Sequence, residues 1–177
     1  LATGAMLFVL ITILGPISGA HMNPAVSLVA ASRGDLSWPD AAAYIAAQLG
    51  FGILGAWAAH LMFDLPMLQM SLKARTGFGQ WVGEGIATFG LVLTILGTVH
   101  HRPQWVAPAV ALYITSAYWF TSSTSFANPA ITVARSLSDT FAGIALIDVP
   151  AFVAGQLVGA AVAALVARWL FRPPGTV

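Results

Sequence analysis

Ser18-Gly19-Ala20-His21-Met22-Asn23-Pro24-Ala25-Val26 interrupts an apolar run, Leu1–Ser32, that contains no Asp, Glu, Lys or Arg. A second uncharged run, Pro103–Ala134, is broken in the same way. It turns polar at Thr121-Ser122-Ser123-Thr124-Ser125 and resumes at Asn128-Pro129-Ala130. A membrane span takes about 20 mostly apolar residues, so each run is too long for one straight helix and too short for two. Each therefore reads as a spanning helix, a non-helical link and a half-length helix. Asn is a preferred N-cap and Pro is preorganised for the first helical position, so Asn23-Pro24-Ala25 and Asn128-Pro129-Ala130 each begin a half-helix. Irregular backbone at membrane depth survives only inside protein or beside a watery cavity. Two such breaks point to a pathway.

The rest of the chain agrees with a membrane setting. Of 177 residues, 58% are hydrophobic and 7% charged, against roughly 25% charged in an ordinary soluble domain. A soluble chain this poor in charge could not cover its surface, which excludes a soluble enzyme and a disordered segment. The net charge of +1 gives no basic footprint for nucleic acid, and with no cysteine there is no thiolate chemistry or thiolate metal site. No cofactor and no metal are expected. Leu1 opens into apolar sequence without a basic flank, so no cleavable signal peptide is expected. Further uncharged runs at Ala41–Phe63, Gly85–His101 and Val149–Ala167 supply the remaining spans. The expected fold class is an all-α membrane protein with five spanning helices and two re-entrant half-helices.

The halves repeat. After the first Asn-Pro-Ala comes a helix containing Gln48, and after the second one containing Gln156; both glutamines read as interhelical hydrogen-bonders. Three full spans, around residues 41–63, 81–99 and 105–122, separate the two asparagines. An odd number of crossings inverts the second copy relative to the first, the repeat that places a site at the bilayer midplane. The second copy has two spans before its Asn-Pro-Ala and the first has one, so the chain reads as short by its first span. The expected organisation is one channel domain over 1–177, with a first repeat at 1–63 lacking its first helix and a second at 81–172. In this arrangement the half-helix N-termini, each partly positive, meet near the membrane centre and repel cations.

The stretch Ser18–Val26, the second Asn128-Pro129-Ala130, and Glu84 with Thr88 in an ExxxT pattern together resemble the aquaporin and aquaglyceroporin (major intrinsic protein) family. The resemblance covers the chain from that family's second helix to its sixth. It implies a homotetramer in lipid, with one pore per subunit for water or small uncharged solutes. It also implies that His21 packs beside the first half-helix and that Glu84 holds the backbone of a re-entrant loop. For Glu84 the alternative is a helix-end charge snorkelling to the interface, and for His21 a loop-packing role stands beside a gating one.

Two departures matter. Most members carry Arg three residues after the second Asn, where this chain has Ile131; the nearest arginine is Arg135. Spacing from the asparagines assigns the other constriction positions to Thr3, Ser116 and Ser125. All four residues are uncharged and none is aromatic, so the expected mouth is wide and passes solutes larger than water. Arg135 either reaches back to that mouth or pairs with Asp139 one turn on; the ion pair is the favoured reading. The run Asn128-Pro129-Ala130-Ile131-Thr132-Val133-Ala134-Arg135 is similar to a bacterial arsenic-resistance-associated subgroup. That suggests neutral metalloid acids or their methylated forms as permeants, and a bacterial inner membrane. The competing functions are a secondary transporter, which would need coupling carboxylates in the membrane, a non-conducting truncated homologue, and an intramembrane enzyme. The last is disfavoured because the aspartates border the apolar runs.

Overall fold

The computed structural model describes residues 1–171, and the end of the second repeat at residue 172 lies outside them. Among the described residues the elements are seven α-helices and two single 3-10 turns, with no strand. Helix α1 is Ala2–Ser18, α2 Pro24–Arg33, α3 Trp38–Met62, α4 Phe78–His101, α5 Val106–Phe120, α6 Pro129–Ser136 and α7 Val149–Leu170. Five are long and two short, in the expected order. Three segments, Trp38–Met62, Phe78–His101 and Leu146–Leu170, are long and apolar enough to cross a membrane unaided. Helices α1 and α5 have 17 and 15 residues, about 26 and 23 Å at ~1.5 Å per residue. They stop early because the polar breaks begin where they end.

The half-helices start for the reason their sequence gives. Asn23 is extended (φ −152°) and its side chain accepts from the Ala25 N–H; Asn128 (φ −159°) accepts from Ala130 and Ile131. Gly34, in the left-handed region at φ 82°, ends α2, a position that glycine fills without the clash a side chain would bring.

Packing follows the repeat. Helix α1 lies on α5, α4 lies between α5 and α7, and the half-helices α2 and α6 meet each other between α3 and α7. The pairs α1 and α5, α2 and α6, and α3 and α7 correspond; α4 has no counterpart among the described residues of the first half. At the α4–α7 contact the two backbones approach closely. A Cβ on Gly159 would stand 2.1 Å from the Gly85 carbonyl oxygen, and one on Gly155 2.8 Å from that of Trp81. Without a hydrophobic drive between helices in lipid, small residues that allow backbones to approach supply much of the packing energy.

The connection 63–77 lies along the segment that follows α6. Ser71 N–H donates to Ser136 O (2.9 Å), Ala145 N–H to Lys73 O (2.7 Å) and Leu72 N–H to an Asp139 carboxylate oxygen (3.0 Å). His60, 2% exposed at the end of α3, joins both segments through Met67 O (2.9 Å) and Ser138 Oγ (3.0 Å).

Candidate functional site

The two Asn-Pro-Ala segments meet and hold each other. Asn23 Nδ2 donates to Ala127 O (2.6 Å), and Asn128 Nδ2 donates to Met22 O (2.8 Å). Each asparagine thus binds the carbonyl just before the other. Its Oδ1 is committed to its own half-helix, at 3.0 Å to Ala25 N for Asn23 and at 2.9 and 3.2 Å to Ala130 N and Ile131 N for Asn128. An amide nitrogen carries two hydrogens, so each side chain keeps one donor and directs it to the space beside it.

That space is a cavity of about 490 Å³, lined by both asparagines, His21, Phe126, Ile131 and Arg135 among others. Aliphatic side chains of α1, α4 and α5 form the remaining wall, with Leu7, Ile11, Leu91, Ile95, Val110 and Ile114 prominent. A second cavity of about 300 Å³ shares His21, Val26, Ile95 and Val99 with the first and continues past Arg33, Asp35 and His100. Arg135 therefore stands at one end of the path and the Arg33–Asp35 ion pair (3.1 Å) at the other.

Glu84 is fully buried, and its carboxylate holds the loop before the second half-helix. Phe126 N–H donates to one oxygen and Ala127 N–H to the other, both at 2.8 Å, and Gln156 Nε2 donates at 2.6 Å. The snorkelling alternative is excluded by this burial. The loop needs the support: Thr124, Ser125 and Ala127 have φ of 61°, 47° and 49°, each a left-handed conformation that costs a non-glycine residue about 1 kcal/mol or more. Gln156 also donates to Thr132 Oγ1 (2.8 Å), while Gln48 donates to Ser27 Oγ (3.0 Å) and to the His21 carbonyl. Ser27 and Thr132 occupy equivalent positions in the two half-helices, so both glutamines connect helices as expected. The His21 ring lies 5.6 Å from that of Tyr44.

Of the four constriction residues assigned by spacing, Thr3 and Ile131 line the cavity and Ser116 and Ser125 do not. Helix α5 presents Val106, Val110, Ile114 and Tyr118 to the cavity, a stripe with a four-residue step. Ser116 is two residues out of that phase, about 200° around the helix, where it is exposed and donates to Tyr113 O (2.8 Å). Ser125 is 1% exposed inside the strained loop, and its neighbour Phe126 is the residue that reaches the cavity.

Arg135 and Asp139 do not pair. The i, i+4 rule needs a continuous helix, but α6 ends at Ser136 and Asp139 accepts from Leu72 instead. An ion pair does form between Arg33 and Asp35 (3.1 Å). The Arg135 guanidinium lies 4.2 Å from the centre of the Phe126 ring. A second guanidinium, that of Arg75, lies 4.8 Å from the same ring. No local sequence pattern marks Arg75. It is 7% exposed, and burial first and the Arg135 charge second lower its proton affinity, while Glu84 raises it.

Comparison with known proteins gives a consistent picture. The family model described as major intrinsic protein matches residues 1–122. An aquaglyceroporin of Rhizobium meliloti (strain 1021), AqpS, is 57% identical over 173 residues, covering 98% of this chain and 74% of that protein. Aquaporin AqpM of Methanothermobacter thermautotrophicus is 34% identical over 96% of this chain and 75% of its own. Aquaporin-2 of Ovis aries is 30% identical over 98% and 67% respectively. These alignments continue through the second half, beyond the reach of the family model.

Proposed function

The chain belongs to the major intrinsic protein family, and on that premise we propose that it is a passive membrane channel for water and small uncharged solutes such as glycerol. The observation that carries the mechanism is the state of the two asparagines. With each Oδ1 bound to its own half-helix and one N–H bound across the repeat, each offers a passing molecule a donor and no acceptor. A water or hydroxyl oxygen accepts there and must direct its own hydrogens away, which interrupts a proton wire. The two half-helix N-termini add partial positive charge at the same point.

The family is one of channels rather than enzymes, and the cavity supports that chemistry. Among the described residues no carboxylate lines the cavity between the asparagines, and Glu84 is committed to two backbone N–H groups and Gln156.

Selectivity in this reading depends on Thr3, Ile131, Phe126 and Arg135. An aliphatic side chain at Ile131, in place of a long charged one, leaves room for solutes wider than water. With the Asn-Pro-Ala-x-Thr-x-Ala-Arg resemblance, this favours glycerol-like molecules and neutral metalloid acids, methylated forms included. The R. meliloti relative bears the name aquaglyceroporin. The assembly proposed is a homotetramer in a bacterial inner membrane.

The test is stopped-flow light scattering on proteoliposomes with water, glycerol and a neutral metalloid acid. Fast glycerol and metalloid flux with low temperature dependence supports the reading. Water flux with both solutes excluded contradicts the wide mouth, and saturable, gradient-coupled flux contradicts the channel.

A further inference from the structure

Arg75 holds together three segments that are far apart in sequence. Its Nε donates to Gly143 O (2.7 Å), one terminal nitrogen to Ser123 O (3.3 Å) and Thr124 Oγ1 (3.2 Å), and the other to Phe141 O (3.2 Å). Its backbone N–H donates to an Asp148 carboxylate oxygen (2.8 Å). One planar fork thus joins the 63–77 connection to the loop before α6 and to the segment after it, a geometry that lysine's single ammonium cannot reproduce. Two of its partners, Ser123 and Thr124, lie in the strained loop that contains Phe126.

Phe126 is fixed from two directions. Glu84 accepts from its backbone N–H at 2.8 Å, and the guanidinium carbons of Arg75 and Arg135 lie 4.8 and 4.2 Å from its ring centre. These are stacking distances for a cation on an aromatic ring. The two cations differ in what else they do. Arg75 is buried and makes four side-chain hydrogen bonds to carbonyl and hydroxyl oxygens. The Arg135 guanidinium makes no hydrogen bond or ion pair with the described residues, and Arg135 lines the cavity with Phe126 and Ile131. Both guanidinium groups flank one ring at the α6 end of the path, and the Glu84 and Asp148 carboxylates accept from backbone N–H groups at Phe126, Ala127 and Arg75 without a hydrogen bond to either guanidinium.

We propose that Arg75 and Arg135, stacked on Phe126, together form the cation barrier at the α6-side mouth, with Arg135 meeting the permeant and Arg75 acting as the positioning residue. The inference rests on the channel reading given above and names the residues that carry its charge selectivity. The barrier charge comes from one turn further along α6 and from a different segment, and Ile131 leaves the width open. Uncharged solutes pass a donor surface that they can hydrogen-bond, whereas sodium ions and hydronium meet two positive charges in a low-dielectric setting, where such fields amount to several kT.

The experiment measures sodium and proton leak and glycerol flux in the same proteoliposomes, and reads the ratio of leak to flux. Arg135→Gln raises that ratio about tenfold or more, the change that removing several kT of barrier brings. Arg75→Gln raises it by a smaller factor. Arg75→Lys, which keeps the charge and loses the fork, falls between Arg75→Gln and the unmodified protein. Adding Ile131→Arg to Arg135→Gln lowers the sodium and proton leak itself again, read here as the leak alone because that substitution also narrows the path for glycerol. A staple without an electrostatic role would leave the ratio unchanged in every variant that assembles, and that result overturns the proposal. If neither Arg75 variant assembles, Phe126→Leu and Arg135→Gln decide: an unchanged ratio in both overturns it, and a raised ratio in both supports it. Absence of glycerol and water flux in the unmodified protein overturns the channel reading and this inference together; flux with an unchanged ratio overturns this inference alone.

Discussion

Asn23 and Asn128, 105 positions apart in the chain, each donate a hydrogen bond to the carbonyl that precedes the other, Ala127 O at 2.6 Å and Met22 O at 2.8 Å. The exchange is symmetric although the surrounding sequences differ, and it makes the two half-helix starts one structural unit. Each asparagine also caps its own half-helix. Removing either side chain therefore frees N–H groups at one half-helix and a carbonyl at the other.

The first prediction follows from that coupling. Asn23→Ala and Asn128→Ala each lose an N-cap, typically about 1 kcal/mol, and one buried cross-repeat bond of about 1 kcal/mol. Neighbours sharing a network do not add, so the double variant costs less than the sum of the singles. Thermal unfolding of the detergent-solubilised protein checks this; strict additivity would mean that the two half-helices are held independently.

Glu84→Gln tests the support of the strained loop. A carboxylate accepts from Phe126, Ala127 and Gln156 together, whereas an amide has one oxygen and would place its NH2 against a donor. Losing a buried charge-assisted hydrogen bond costs about 1.5–3 kcal/mol. The expected outcome is a lower unfolding temperature and reduced glycerol flux, both larger than those of Gln48→Ala. An equally stable variant would show that Thr124, Ser125 and Ala127 hold their conformations without the carboxylate.

The α4–α7 contact makes a prediction about packing alone. Gly159→Ala places a methyl 2.1 Å from the Gly85 oxygen, so the helices must separate, while Gly50 and Gly55 have nothing within 4 Å of an added Cβ. Overpacking costs about 1–3 kcal/mol. Gly159→Ala should lower the unfolding temperature, and Gly50→Ala should leave it unchanged or raise it slightly through better helix propensity. Equal temperatures for the two variants would contradict the close approach.

How much of this was readable in the sequence depends on how local each feature is. The Asn-Pro-Ala starts, the breaks before them and the inverted order of helices were legible because caps and apolar runs are short-range signals. The membrane fold follows from them. Ser116 lies off the cavity because counting back from Asn128 crosses the loop 121–128, which does not keep helical phase; the α5 residues that line the cavity are the stripe Val106, Val110, Ile114 and Tyr118. The Arg135–Asp139 pairing assumed a helix that stops at Ser136. Arg75 was out of reach for a different reason. Its partners at Ser123, Thr124, Phe141 and Gly143 are 48 to 68 residues away, and nothing at spacing three or four from Arg75 records them.

The last prediction concerns the width of the mouth. Ile131 lines the cavity beside Arg135, one helical turn away on α6. Ile131→Arg introduces a second long cation on the same face, and like charges at this spacing repel by a few tenths of a kcal/mol on an exposed helix. The new side chain therefore extends away from Arg135 and into the free space of the cavity, toward Asn128. Bulk matters more than charge in that position. Glycerol is wider than water and must displace or slide past the guanidinium, whereas water can pass beside it and hydrogen-bond to it. The expected result is a glycerol flux reduced about tenfold or more, the change that a little over 1 kcal/mol of added barrier produces, with a smaller effect on water. Parallel stopped-flow measurements of the two permeants check it. An equal loss of both would indicate a blocked or misfolded path, and an unchanged glycerol flux would place the narrowest point elsewhere, with the Asn23–Asn128 contact as the next position to test.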